Sequence, residues 1–289
     1  MHLFMILTAL TLAQLVRVRW RPNVAGSWTG RWQRSLCLFL FSPLLLSATG
    51  LAVLCMGPQG SMLGLPVGWF SYLLILVLFV GAIALLLQLA WQGWLTVQQT
   101  RTYPLQNLEV FSPPKSLEFG RLLETPALFS ALVGFWQPEL VVSQGLLHAL
   151  TSEQLAAVFA HEQAHFYYRD TFWFFWLGWV RSCTAWLPNT EALWQELLLL
   201  RELRADRRAA QQVDPLILAE SLLLVVQSSI IPITTFCAAF SAVREKNRLT
   251  QRLEALLAES EDDVQPQVKW SWLWLLLTLL PLVTVPFHS

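Results

Sequence analysis

Polar and apolar positions along the chain are gathered into blocks rather than mixed at one spacing, and the blocks set out its plan. Three apolar runs fill most of the first hundred residues: His2 to Val16, Leu36 to Met56 and Trp69 to Leu95. A membrane-crossing helix needs about 20 mostly apolar residues, so each run predicts a span. The first is short, but it has neither the basic start nor the small-residue cleavage site of a signal peptide. A fourth run, Trp270 to Phe287, predicts a last span. Two interrupted stretches lie between. Thr171 to Leu187 is aromatic-rich with Arg181 inside it, and Leu216 to Phe240 is broken by Glu220, Gln227, Ser228, Ser229 and Pro232. Basic residues flank the second on both sides, so it is expected to be a buried or membrane-dipping helical pair rather than a crossing. The expected organisation is three transmembrane helices over residues 1–97, a cytoplasmic or membrane-embedded domain over 98–268, and a final transmembrane helix over 269–289. The fold class is a mainly α, multi-span membrane protein.

Charge orients this plan. Arg17, Arg19, Arg21, Arg31 and Arg34 lie between the first two spans, whereas Gly57 to Gly68 carries no charge. Loops rich in Lys and Arg stay in the cytoplasm, which puts residues 98–268 on the cytoplasmic side of a cell inner or plasma membrane. With 55% hydrophobic and 13% charged residues, the composition departs from the roughly 25% charged content of soluble domains. Net charge is zero, and no basic cluster is interleaved with aromatics along a helix, which excludes nucleic acid as the partner. The spans hold almost no ionisable groups, which argues against a transporter. Cys37, Cys55, Cys183 and Cys237 fall in apolar stretches without CxxC spacing and read as packing residues. Arg244 to Glu259, with Leu249, Leu253, Leu256 and Leu257 at helical spacing, predicts an amphipathic helix, and Glu261-Asp262-Asp263 with Pro266 a linker.

The candidate chemistry lies in the middle of the chain. Thr151 and Gln154 form a capping-box pattern, which predicts a helix from there to about Tyr168. On it stands His161-Glu162-Gln163-Ala164-His165. Residues four apart share a helix face, so both imidazoles can reach one metal at about 2.0 to 2.1 Å. Glu162 is turned about 100° from His161, where it can serve as a base without being a ligand. A catalytic zinc needs a third protein ligand and an open position. The helix expected from Thr190 to Gln212 offers Glu202, with Asp206 one turn on as an acceptor for the distal nitrogen of a ligating His. The competing reading is that these carboxylates only pair with Arg201, Arg204, Arg207 and Arg208 on a solvated helix. Glu191 and Glu196 are weaker candidates because neither has a carboxylate four residues on. A bilayer cannot separate residues that share an ion, so Thr171 to Leu187 is expected to dip and return, lie at the interface, or be matched by another crossing.

Phe111-Ser112-Pro113-Pro114, Glu139-Leu140-Val141-Val142 before Gly145-Leu146, Thr151 to Leu155, the HExxH run, Arg169-Asp170, and Glu202 with Ala205-Asp206 together resemble the membrane gluzincins of the BlaR/MecR type. The resemblance covers roughly residues 98 to 215 and the three leading spans. It implies a zinc metalloendopeptidase with one Zn2+ held by His161, His165 and Glu202, with Glu162 as general base, Asp206 behind a ligating His, and a cytoplasmic active site. It implies as substrate a cytoplasmic or membrane-adjacent protein, either a repressor-type regulator or the chain itself. BlaR/MecR-type receptors continue after their last span into an extracellular penicillin-binding sensor, and no SxxK nucleophile motif follows the last predicted span here. Sensing is therefore expected of a separate protein. HtpX-type quality-control peptidases and CaaX prenyl proteases are similar in motif. A non-catalytic zinc-binding signalling protein is the third reading, and membrane lipid and an oligomeric partner complete the expected contacts. Asp170 is expected to cap or salt-bridge, and Tyr167 and Tyr168 to anchor at an interface or polarise a carbonyl.

Overall fold

The computed structural model describes residues 2–19, 28–59, 61–62, 65–66, 68–108, 117–228, 241–257 and 272–287. Its first elements are α1 (His2–Val18), α2 (Trp28–Met56), a short antiparallel hairpin of β1 (Ser61–Met62) and β2 (Leu65–Pro66), and α3 (Trp69–Arg101). Next come β3 (Leu105–Asn107), β4 (Phe119–Leu123), β5 (Ser130–Val133), β6 (Glu139–Ser143), α4 (Gln144–Ala149), α5 (Ser152–Tyr167), α6 (Asp170–Cys183) and α7 (Thr190–Ala209). The chain ends in α8 (Pro215–Ser228), α9 (Ser241–Leu257), α10 (Leu273–Leu276) and a 3₁₀ stretch, Leu277–Phe287. It is mainly helical and divides into two compact units: Met1–Ala90 with Leu177–Leu200 and Asp263–Ser289, and Trp91–Trp176 with Arg201–Asp262.

In the first unit, α2 and α3 are long and apolar enough to cross a membrane. α3 is apolar all round, with Phe70, Val77 and Leu87 between 64% and 72% exposed. An apolar surface of that size is suited to hydrocarbon. α2 begins eight residues before the expected Leu36, so Arg31 and Arg34 stand on its first turns rather than in a loop. Arg31 is held there by Glu196, 2.8 Å away. α1 and the last apolar run are shorter helices. The predicted final span, Trp270 to Phe287, is broken into α10 and a 3₁₀ stretch containing Pro281 and Pro286, because proline removes a helix donor. α6 has 14 residues, about 21 Å at 1.5 Å per residue, which is shorter than a hydrocarbon core of about 30 Å.

The second unit contains a sheet that the apolar blocks did not suggest. Its strand order is β3-β4-β6-β5, with β4 and β6 parallel and the two outer pairings antiparallel. β6 (Glu-Leu-Val-Val-Ser) is the buried centre, and β-branched residues suit such a strand. α5 lies between two cores. Leu155, Val158 and Phe159 pack with Leu140 and Val142 of the sheet, while Ala157 and Ala160 meet Ala209 of α7, Leu218 and Leu222 of α8 and Leu249 of α9. Full burial of Leu155 and Phe159 contributes about 1.5–3 kcal/mol each. The expected capping box is present: Thr151 Oγ1 accepts from Gln154 N–H at 3.3 Å and Gln154 Oε1 accepts from Thr151 N–H at 3.0 Å.

Several expectations are refined. α7 starts at Thr190 as expected but ends at Ala209, three residues before Gln212. On α9, Leu249, Leu253 and Leu256 face the core, whereas Leu257 is exposed. The second half of the Leu216 to Phe240 stretch, Phe111 to Pro114, Cys237 and the linker residues 261–266 lie outside the described residues.

Candidate metal centre

The centre is built where α5 and α7 each present one face in the second unit. His161 Nε2 and His165 Nε2 are 3.0 Å apart. Glu202 Oε2 lies 3.4 Å from the first and 3.7 Å from the second. Among the described residues these three side chains form a group that could hold a metal ion. Three points with these separations lie on a circle of radius about 2.0 Å, which is the zinc–nitrogen bond length. The helical spacing of the two His and the reach of Glu202 thus meet the size of the ion.

The protons agree with the distances. His165 Nδ1 is 2.7 Å from Asp170 Oδ2. A carboxylate only accepts, so Nδ1 carries the hydrogen and the Nε2 lone pair faces inward. His161 Nδ1 lies 2.9 Å from Asp206 Oδ1, with its N–H off the line between them. That contact is an ion-pair approach more than an aligned hydrogen bond. Two imidazole lone pairs and a carboxylate oxygen converging on one point require a positive charge there, either a proton or a cation. In the metal-free protein burial opposes charging His165, but Glu202 and Asp170 outweigh it and push its pKa up to about 9. His161 is likewise buried, yet Asp206 and Glu202 raise it.

Each His is backed by an Asp, and each Asp by an Arg. Asp206, 2% exposed, accepts from Arg252 Nε and Nη2, both at 2.7 Å. Asp170, also 2% exposed, accepts from Arg204, whose guanidinium lies over the Tyr168 ring at 4.0 Å from its centroid. Asp170 reaches back because Arg169 takes a left-handed turn, φ 52°, between α5 and α6. That conformation costs a non-glycine residue roughly 1–2 kcal/mol. The other oxygen of Glu202, Oε1, accepts from Arg201 Nε at 2.9 Å and Nη2 at 2.7 Å. With Oε1 occupied, Oε2 is the oxygen turned toward the imidazoles. Burial works to protonate Glu202, but Arg201, His165 and Arg252 hold it well below the ordinary carboxylate range.

Glu162 is 7% exposed, and among the described residues no donor holds its carboxylate. It stands one residue beyond His161 on the same helix, within electrostatic reach of the Arg252 guanidinium.

The structure brings His161, His165, Glu202 and Asp206 together, with Glu162 adjacent to His161 in sequence and buried. It leaves Glu191 paired with Arg181 and Glu196 with Arg31, within the first unit. Arg201 does pair with Glu202 as the competing reading supposed, whereas Arg204 pairs with Asp170; both stand around the centre rather than on a solvated face. Tyr167 and Tyr168 stack against Arg208 and Arg204. Asp170 was expected to cap or salt-bridge; it does the latter and also orients His165. Arg252 was not anticipated, since its partner Asp206 is 46 residues distant.

Residues 118–202 match the model of peptidase family M48. The matched segment runs from just before β4 to Glu202 and includes both His, covering under a third of the chain. No curated protein and no solved structure matches the chain. M48 peptidases are zinc-dependent, so the match supports a zinc metallopeptidase and assigns the same segment that carries the His-His-Glu group.

Proposed function

We propose that this chain is a membrane-bound zinc endopeptidase, with one Zn2+ held by His161, His165 and Glu202 and with Glu162 as general base. The observation that carries the reading is the convergence of His161 Nε2, His165 Nε2 and Glu202 Oε2 within 3.0 to 3.7 Å of one another. A structural site needs no neighbouring base, and these sites are normally closed by a fourth protein ligand. Here the fourth position has no protein ligand among the described residues, and the buried carboxylate of Glu162 follows His161 directly on the same helix.

Zinc, when bound, supplies the Lewis acidity that makes water nucleophilic near neutral pH and polarises a peptide carbonyl. Glu162 then accepts the proton of the attacking water on a carboxylate oxygen and passes it to the amine that leaves. Asp170 keeps the His165 hydrogen on Nδ1 by a hydrogen bond and Asp206 favours the same arrangement at His161 by its charge, so that both Nε2 atoms are left to bind the metal. Arg201 keeps Glu202 ionised and presents a single oxygen.

The substrate proposed is a cytoplasmic or membrane-adjacent protein, a repressor-type regulator or the chain itself. The BlaR/MecR-like pattern of motifs and the apolar α2 and α3 support that reading, together with an active site on the cytoplasmic side, where the Arg-rich first loop is expected. A quality-control peptidase of the HtpX type, itself a member of family M48, is the second reading, and the M48 match is the observation in its favour.

The test is Glu162→Gln in the full chain. It should keep one zinc per chain and lose cleavage by about 10²- to 10⁴-fold, the usual contribution of a general base. Cleavage at the wild-type rate would remove Glu162 from the mechanism. Wild-type protein that is fully zinc-loaded but cuts neither an unfolded membrane protein nor itself would favour a signalling role for the metal. Peptides that accumulate uncut in Glu162→Gln cells separate a single regulator from a broad set of misfolded clients.

A further inference from the structure

The β5–β6 turn, residues 134–138, is Gly-Phe-Trp-Gln-Pro and has no charge. Gly134 takes φ 131°, and a Cβ there would meet Pro138 Cα at 3.0 Å, so only glycine forms this turn without strain. The turn carries Phe135 onto the first half of α6, where its ring centroid lies 4.9 Å from Phe172 and 5.0 Å from Phe175. Trp136 packs edgewise on Phe135 and lies 5.1 Å from Phe172. Trp136 is nonetheless 73% exposed and Trp173 is 57% exposed. Rings that are locked against one another on one side and uncovered on the other form a prearranged apolar surface.

One feature of the same unit indicates what covers it. Glu139, three residues after Trp136, pairs with Arg101, the last residue of α3, at 3.5 Å. Arg121 bonds both to Glu139, at 2.7 Å, and to the Tyr103 carbonyl just beyond α3. The base of the turn is therefore fastened to the end of an apolar helix. Arg101 lies ten residues past Trp91, about 15 Å along the helix axis. Trp91 and Trp94, stacked and exposed, have the amphipathic character that settles at the boundary of a bilayer. Trp136 stands three residues before Glu139, in the same compact unit as Trp91 and Trp94.

We propose that Phe135, Trp136 and Trp173 form a bilayer-surface anchor that rests in the headgroup–acyl boundary of the membrane crossed by α3. Trp and Phe favour that depth, where an apolar ring is shielded while the indole N–H stays hydrated. The anchor fixes the zinc domain's orientation to the lipid at a second point besides α3, which favours substrates whose scissile bond lies near the membrane surface. It rests on α3 being a membrane span and is independent of peptidase activity.

The test is nitroxide accessibility in the full chain reconstituted into vesicles of zwitterionic and anionic phospholipid. All four native cysteines are replaced, and Trp136→Cys and Trp173→Cys are spin-labelled one at a time. Glu153→Cys serves as the aqueous reference and Val77→Cys, on α3, as the lipid reference. The anchor predicts that labels at 136 and 173 relax readily with oxygen and are shielded from a water-soluble nickel chelate, resembling 77 and unlike 153. Chelate access equal to that at 153 would overturn the anchor. Exclusion of both reagents would also overturn it, since a protein, such as a second copy, would then cover the patch. If Val77 itself met the chelate, the span reading of α3 and the anchor would fall together. Should one labelled variant fail to fold, the other decides.

Discussion

Asp206→Asn tests the architecture of the centre more severely than removal of a ligand, because it changes one atom and leaves all three proposed ligands in place. Loss of a partner behind a ligating His typically lowers metal affinity by about 10- to 100-fold. Two features place this change at the upper end. Asp206 is 2% exposed and accepts both forks of Arg252, so neutralising it leaves a buried guanidinium without its counter-charge. Arg252 Nη1 already stands 3.4 Å from Glu202 Oε2, the oxygen facing the imidazoles. Released from Asp206, the guanidinium moves onto that oxygen and competes with the cation. We expect about 100-fold weaker zinc binding, or about 2.8 kcal/mol at 1.4 kcal/mol per decade. Asp170→Asn should cost nearer about 10-fold, because Arg204 remains stacked on Tyr168. The assay is zinc competition with a chelator of known affinity, on detergent-solubilised full chain. A double variant, Asp206→Asn with Arg252→Gln, should recover about 10-fold over Asp206→Asn alone, since the competing cation is gone. Zinc affinity of Asp206→Asn within about threefold of wild type, or a double variant worse than the single one, would refute this account of the Arg–Asp–His arrangement.

Three further outcomes follow from the same contacts. In the metal-free protein the His165 pKa is about 9, above its unfolded value of about 6.5, so its charge stabilises the fold fully below about pH 6.5 and less as pH rises through 9. Zinc needs neutral imidazoles, so thermal midpoints of chelator-treated and zinc-loaded protein should diverge between pH 6.5 and 9, and parallel curves would count against the proposed ligands. Gly145→Ala puts a Cβ 2.1 Å from the Pro126 carbonyl oxygen, whereas Gly120→Ala chiefly meets the movable Leu108 Cδ1 at 2.7 Å. The first should cost about 3 kcal/mol and the second about 1 kcal/mol, read from thermal or denaturant unfolding, and equal costs would contradict the packing of the 125–127 loop on α4. Thr151→Ala removes the cap of α5 and should cost about 1 kcal/mol with zinc stoichiometry unchanged; loss of zinc would mean that the cap also sets the register of the His pair.

How far the sequence reveals this protein depends on the range of the interaction that carries each feature. Interactions within one or two helical turns were legible: the Thr151–Gln154 cap, the His161–His165 pair, and the Glu202–Asp206 face are all set by helix geometry. Apolar runs marked α2 and α3 because a span is a one-dimensional pattern. The four-stranded sheet was not legible, since strands of three to five residues are too short for a period to emerge, and their order depends on pairing between distant segments. Asp170 lay just beyond the range of helix reasoning. It is five residues from His165 and meets it only because Arg169 reverses the chain. Arg252 had no local signal at all: its sequence neighbourhood reads as an ordinary amphipathic helix, and only the packing of Leu249, Leu253 and Leu256 against α5 and α8 turns that helix's arginine toward Asp206. The arginines that made a solvated helix the competing explanation of Glu202 and Asp206 therefore argue the other way once folded. Arg201 pairs with Glu202, and Arg252 from α9 joins it on the α7 carboxylates; what they stabilise is the ionised state that a divalent cation requires.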